Sequence, residues 1–150
     1  MLLLLFETKD GRYALDSKYI VEIIPLLDTK RIPSAPAFVK GMINYHGTPV
    51  PVFDFCALEG DEVSRTFYST RIILVNYPLD DGEKMVGVIA ERATDVIKCT
   101  ESDIRSSGIL LDKDSGSGSG KSGQEEIVQL FDIQRMIQQQ EDLYRSLVNA

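Results

Sequence analysis

The sequence predicts a mainly β protein, two small barrels in tandem with one C-terminal helix. Three observations carry this reading. Asp-Gly pairs lie between apolar runs at Asp10-Gly11 and Asp81-Gly82, and such pairs are strong hairpin signals. The order of elements recurs between the two halves. Helical spacing is confined to the tail, where Ile133, Ile137, Leu143 and Leu147 stand among Gln, Arg and Glu behind Asp132, a candidate cap.

In chain order, Leu2–Phe6 is a strand, Lys9-Asp10-Gly11-Arg12 a turn and Tyr13-Ala14-Leu15 the returning arm. Asp16 or Ser17 can cap a short helical turn. Tyr19–Leu27 is rich in Ile, Val and Leu and favours strand. Pro33 and Pro36 exclude a regular helix and imply an extended crossing. Phe38–Tyr45 is apolar and runs into the turn Asn44-Tyr45-His46-Gly47. Thr48–Phe55 alternates, but its prolines require an edge position or irregular pairing. Glu59–Ser64 is a polar link. Thr70–Tyr77, Met85–Ala90 and Ala93–Cys99 are strands, with a turn at Asp80–Glu83 between the first two. Ile109–Leu111 and Ile127–Asp132 flank a glycine-serine stretch.

The repeat follows from these elements. Phe6, Asp10-Gly11, Tyr13-Ala14-Leu15 and Val21-Glu22-Ile23 correspond to Leu74-Val75, Asp81-Gly82, Met85–Val88 and Thr94–Ile97. Gly41-Met42-Ile43 and Val50–Phe55 correspond to Gly108-Ile109-Leu110 and Ile127–Ile133. The implied division of this one domain is a first barrel over 1–60, a second over 70–133, a helix over 133–148 and a Gly/Ser loop over 115–123. Halves of roughly 65 residues are marginal alone, so they should pack closely.

The chain has 150 residues and a net charge of -7, which argues against nucleic acid as a partner. Cys56 and Cys99 form no C-x-x-C pair and read as reduced thiols of a cytoplasmic protein. The opening Leu2–Phe6 run is too short for a signal peptide or a membrane span, so no direct membrane insertion is expected.

Gly120-Lys121-Ser122 ends like a phosphate-binding loop, but Ser115 stands where the first glycine is required. Asp112, Asp114, Glu125 and Glu126 would repel a phosphate, and the Ser-Gly alternation is that of a flexible linker. His46 is the only histidine and has no ligand cluster around it, so neither a metal nor a cofactor is expected. No nucleophile elbow supports catalysis. His46 nevertheless sits in a conspicuous turn, where exposed residues often serve recognition. Glu22 interrupts an apolar strand and is either solvent-facing or paired. Asp54 and Asp132 end corresponding strands and suit backbone hydrogen bonds or helix caps.

Tyr13–Asp16, Ile20–Ile23, the stretch Pro36-x-Phe38-Val39-x-Gly41-x-x-Asn44-x-x-Gly47 and then Val50-Pro51-Val52-x-Asp54 together resemble the CheW-like domain. Thr70–Val75, Val86–Glu91 and Ile127–Ile133 match later segments of that family, so the resemblance spans nearly the whole chain. It implies two intertwined five-stranded SH3-like barrels and no catalysis. It implies an adaptor between a methyl-accepting chemoreceptor's cytoplasmic tip and the regulatory domain of a CheA-type histidine kinase, within membrane-bound receptor arrays. A free-standing SH3-like module for peptides or small ligands is the alternative. By position the resemblance places Ile20, Glu22, Asn44, Tyr45, His46 and Gly47 on the receptor side. The family usually has arginine at position 46 and leucine at 45. Histidine lacks arginine's fixed charge and bidentate fork, which alters the usual glutamate–arginine partnership.

Overall fold

The computed structural model describes residues 1–60, 62–79, 82–100, 104–105, 108–112, 125–140 and 142. Among the described residues the strands are β1 (Leu2–Thr8), β2 (Gly11–Asp16), β3 (Ile20–Pro25), β4 (Val39–Tyr45), β5 (Thr48–Asp54), β6 (Arg71–Leu79), β7 (Gly82–Ala90), β8 (Arg92–Lys98), β9 (Ile104–Arg105), β10 (Gly108–Asp112) and β11 (Glu125–Leu130). Among the described residues the α-helices are α1 (Phe55–Leu58), after β5, and α2 (Ile133–Gln139), after β11. The Gly/Ser loop over 115–123 and residues 141 and 143–148 of the helix expected over 133–148 lie outside the described residues, as do Asp80 and Asp81 of the second hairpin turn. Among the described residues no helix is long and apolar enough to cross a membrane.

The strands form two sheets, ordered β8-β1-β2-β11-β10-β9 and β3-β6-β7-β5-β4. Neither sheet is built from one half of the chain. The first half's hairpin, β1–β2, lies between β8 and β11 of the second half. The second half's hairpin, β6–β7, lies between β3 and β5 of the first. The pairing senses match as well: β2–β11 and β7–β5 are parallel, and β1–β8 and β6–β3 are antiparallel with a register shift in each. The sequence repeat is therefore expressed as an exchange of hairpins, and strand pairing cuts across the chain's midpoint.

This exchange explains the apolar runs Leu2–Phe6 and Ile72–Val75. A strand buried on both faces reads as continuously apolar. Leu4, Phe6, Ile73 and Val75 enter one cluster between the sheets, with Leu15, Phe53, Val86, Val88, Phe55, Ile133 and Met136. Leu3, Leu5, Ala14 and Val128 pack on the far side of the first sheet, and Ile43, Val50, Val52, Ile72, Leu74 and Ile89 on the far side of the second. Phe55 of α1 meets Phe6 edge-on at 4.8 Å and Phe131 at 4.9 Å, so both helix-bearing junctions key into the shared cluster. Truncating a buried ring such as Phe6 to alanine costs about 3–5 kcal/mol in such a setting.

Of the two ways expected for the prolines of β5, an edge position or irregular pairing, the structure uses the second. β5 is internal in strand order, between β7 and β4. Pro49 and Pro51 pair only with β4, opposite Asn44 and Met42, and pairing to β7 begins at Val52. The proline-bearing half is thus locally an edge, where a missing N–H costs no ladder bond.

Candidate functional site

The β4–β5 connection is a two-residue loop. Tyr45 pairs with Thr48, leaving His46 and Gly47 between them. Their φ angles are 49° and 87°. Positive φ at both central positions is the signature of a type I′ turn, whose twist matches that of the flanking strands. Gly47 adopts it freely, whereas His46 holds a conformation that few side chains favour. The Asn44 Oδ1 accepts the Gly47 N–H at 2.7 Å, which pins the loop from below.

Tyr45 is half-buried and packs against the far-side cluster of the second sheet, as Ile24 and Leu26 also do. Its hydroxyl donates to Oε2 of Glu22. β3 and β4 are the two outermost strands of that sheet, so it coils enough for their side chains to meet. A backbone bridge beyond β3 runs the same way, with Lys30 N–H donating to Met42 carbonyl at 2.8 Å. The hydrogen bond to Glu22, with smaller contributions from burial and the carboxylate's charge, raises the Tyr45 phenol pKa above its usual value. The phenol is therefore a firm donor at neutral pH. The His46 ring lies edge-on to Tyr45, with centroids 4.5 Å apart.

Glu22, Asn44, Tyr45, His46 and Gly47 thus come together, and Glu22 is both exposed and paired. Ile20 does not join them. A register shift separates it from Glu22, and its side chain packs against the cluster between the sheets. The same bulge breaks the alternation of β3, so Val21, Glu22 and Ile23 all reach solvent. The resemblance puts Tyr45 among the receptor-side residues but does not mark it as the partner of Glu22. No local signal could have found it, because the contact spans the whole width of a sheet.

A second polar cluster is buried and reads as architecture. Asp54 caps α1, accepting the Ala57 N–H at 3.1 Å, as its position suggested. It also accepts the Ser64 N–H and hydroxyl, the latter at 2.9 Å. Glu91 accepts the Arg65 backbone N–H at 2.7 Å and two guanidinium N–H groups. Burial alone would raise the Glu91 pKa, but the Arg65 donors outweigh it and hold the carboxyl below its usual range. Burial pushes the Cys56 thiol up against an opposing hydrogen bond from Ser64, as befits a buried thiol. The polar link Glu59–Ser64 is thus anchored at its end, where Ser64 and the next residue, Arg65, are laced to Asp54 and Glu91. Asp132 caps α2 through the Arg135 N–H at 3.1 Å. An open groove of about 370 Å³ lies between Tyr13, Leu58, Gln129, Phe131, Arg135 and Met136, and holds none of the expected site residues.

Residues 2–141 match the CheW-like domain family. The chain is 26% identical over 141 residues to the chemotaxis protein CheW of Klebsiella aerogenes, covering 92% of this chain and 82% of that protein. It is 27% identical to the chemotaxis protein CheW of Treponema pallidum over 69% of this chain and 61% of that one. Among solved structures it resembles the scaffolding protein TtCheW of Thermoanaerobacter tengcongensis, with a TM-score of 0.62 and 27% identity over 69% of this chain and 65% of that chain.

Proposed function

The chain belongs to the CheW-like domain family, and on that premise we propose that it is a non-enzymatic adaptor coupling chemoreceptor tips to a CheA-type histidine kinase. In this reading each sheet is one SH3-like barrel of an intertwined pair. The receptor tip meets the edge of β3 and the β4–β5 turn, and the kinase's regulatory domain meets a barrel elsewhere. The adaptor acts in the cytoplasm, at membrane-bound receptor arrays.

The observation that carries this reading is the Glu22–Tyr45–His46 constellation. The polar side chains of the interior, Asp54, Glu91 and Thr70, are spent on holding the chain to itself. Glu22 and His46 are exposed on a fixed scaffold, beside the apolar side chains of Val21 and Ile23. That combination suits recognition of a protein surface. Individual contacts of this kind can be small, and an array makes them firm through multivalency.

The test is calorimetric binding of the folded chain to the cytoplasmic-tip fragment of a receptor and the regulatory domain of a kinase encoded beside it. Saturable binding to both is expected. No complex with either at about 50 μM, a regime where even weak specific contacts register, would sink the reading.

A further inference from the structure

The element of the site that departs from the family resemblance is the partner of Glu22. Here Tyr45 supplies a single neutral O–H to one carboxylate oxygen. A carboxylate offers about four acceptor positions, so most of its capacity is unused. Among the described residues Glu22 makes no ion pair. Its charge is oriented without being neutralised. His46, which occupies the position of the family's usual arginine, turns its ring against Tyr45.

The surroundings define what would fit. β3 is the outermost strand of its sheet and pairs only with β6. Val21 and Ile23, 41% and 39% exposed, flank Glu22 along this edge. Tyr45, rooted in the apolar cluster, keeps the carboxylate from swinging freely. An oriented anion between two apolar side chains complements a cation carried on an apolar surface, and Coulomb attraction there is stronger than in open water.

We propose that Tyr45 makes Glu22 an anionic subsite that takes a guanidinium or ammonium side chain from the receptor tip, with Val21 and Ile23 receiving the apolar side chains beside it. This rests on the adaptor reading above and specifies the chemistry of its receptor-side contact. Tyr45 is a positioning residue and Glu22 is the group that touches the partner. The chain would then select receptors that carry a basic residue, a role that an arginine at position 46 would fill from within.

The experiment measures the affinity of the receptor-tip fragment at about 0.05 M and about 0.3 M salt, where the screening length differs roughly twofold. The wild-type chain is compared with Glu22→Gln, Tyr45→Phe, His46→Arg and, as a control acid on an outermost strand of the other sheet, Asp95→Asn. All four positions are checked for unchanged thermal unfolding. Glu22→Gln should weaken binding about tenfold at low salt and flatten the salt dependence. His46→Arg should weaken it comparably, because the new guanidinium occupies Glu22 within the chain. Tyr45→Phe should weaken it less and keep the salt dependence, and Asp95→Asn should change nothing. Replacing the responsible Arg or Lys of the receptor fragment with Gln should cost affinity against wild type and little against Glu22→Gln. Wild-type binding that survives Glu22→Gln with its salt dependence intact overturns the subsite alone. A Glu22→Gln effect seen only with the kinase domain overturns the receptor assignment. Absence of wild-type binding to either partner overturns the adaptor reading and the subsite together.

Discussion

Asp54 and Asp132 occupy the same place in the two halves of the chain. Asp54 ends, and Asp132 closely follows, the strand that pairs in parallel with the other half's hairpin, and each caps a helix by accepting the N–H three residues on. Their burdens differ. Asp54 is 3% exposed and also holds the Ser64 N–H and hydroxyl, whereas the Asp132 carboxylate is exposed and, among the described residues, holds the Arg135 N–H alone. The repeat supplies the same helix start twice, and the segment after α1 converts one copy into a buried anchor. A second pair behaves alike. Gly87 of β7 stands opposite Leu74 and beside Val52, as Ala14 of β2 stands opposite Leu5 and beside Leu130. One position carries a methyl group and the other has no room for it. Equivalent backbone places are therefore not interchangeable, and packing decides what each residue does.

The largest separation is expected at the two aspartates. Asp54→Ala removes a cap and leaves the Ser64 donors without their acceptor, so it should destabilise by about 3 kcal/mol. Asp132→Ala removes one exposed cap and should cost about 1 kcal/mol. Urea unfolding of both variants gives the comparison, and equal losses would mean that the Ser64 bonds contribute nothing.

The glycine–alanine pair comes next. A Cβ built at Gly87 would sit 2.9 Å from Ile72 Cγ2 and 3.2 Å from Val52 Cγ2, inside a packed cluster. Gly87→Ala should therefore cost about 2 kcal/mol by overpacking. Ala14→Gly loses a buried methyl and gains unfolded-chain freedom, for about 1 kcal/mol. Thermal midpoints should fall in that order, and a stable Gly87→Ala variant would show that β7 can shift away from β5.

Much of this fold was legible in the sequence, for reasons that lie in particular residues. Asp10-Gly11 marks a turn whichever strands lie beyond it, and the apolar runs at Leu2–Phe6 and Ile72–Val75 mark strands covered on both faces. Asp16 does cap a 3-10 turn over Ser17–Tyr19. The hairpin exchange was not legible from pattern, because β1 buries the same side chains whether its neighbour is β3 or β8. Helix α1 is four residues long and β9 two, too short for periodicity to register. The site was half legible. Glu22 stood out as an acid in an apolar strand and Asn44–Gly47 as a turn, but their juxtaposition depends on how far the sheet coils.

Glu91, another buried acid, adds a comparison through pH. Its carboxyl is held below its usual value of 4.5, so in acid the unfolded chain binds the proton first. The stability this provides is complete above that usual value and is lost as pH falls through the lower, folded-state value. Arg65 is half exposed, so solvent screening keeps the effect small. Wild type should thus lose more of its urea stability between pH 6 and about pH 3 than Glu91→Gln does. Parallel losses would show that the Arg65 pair carries no weight.

The smallest stability effect is expected at the turn that the site depends on. His46 sits at φ 49°, a region that asparagine tolerates well and β-branched residues do not. His46→Asn creates the preferred Asn-Gly pair of a type I′ turn and loses an exposed ring contact with Tyr45. The two terms oppose, so the net change should stay within about 0.5 kcal/mol. His46→Val should instead cost at least about 1 kcal/mol, because its Cβ branches meet the backbone in that conformation. Thermal unfolding of the two variants decides whether the backbone angle or the imidazole sets this turn. If His46→Asn costs as much as His46→Val, the ring contact dominates and His46 is structural. If it is neutral, any loss of receptor binding in His46→Asn reports on recognition alone, which His46→Ala, strained in the same conformation, would report less cleanly.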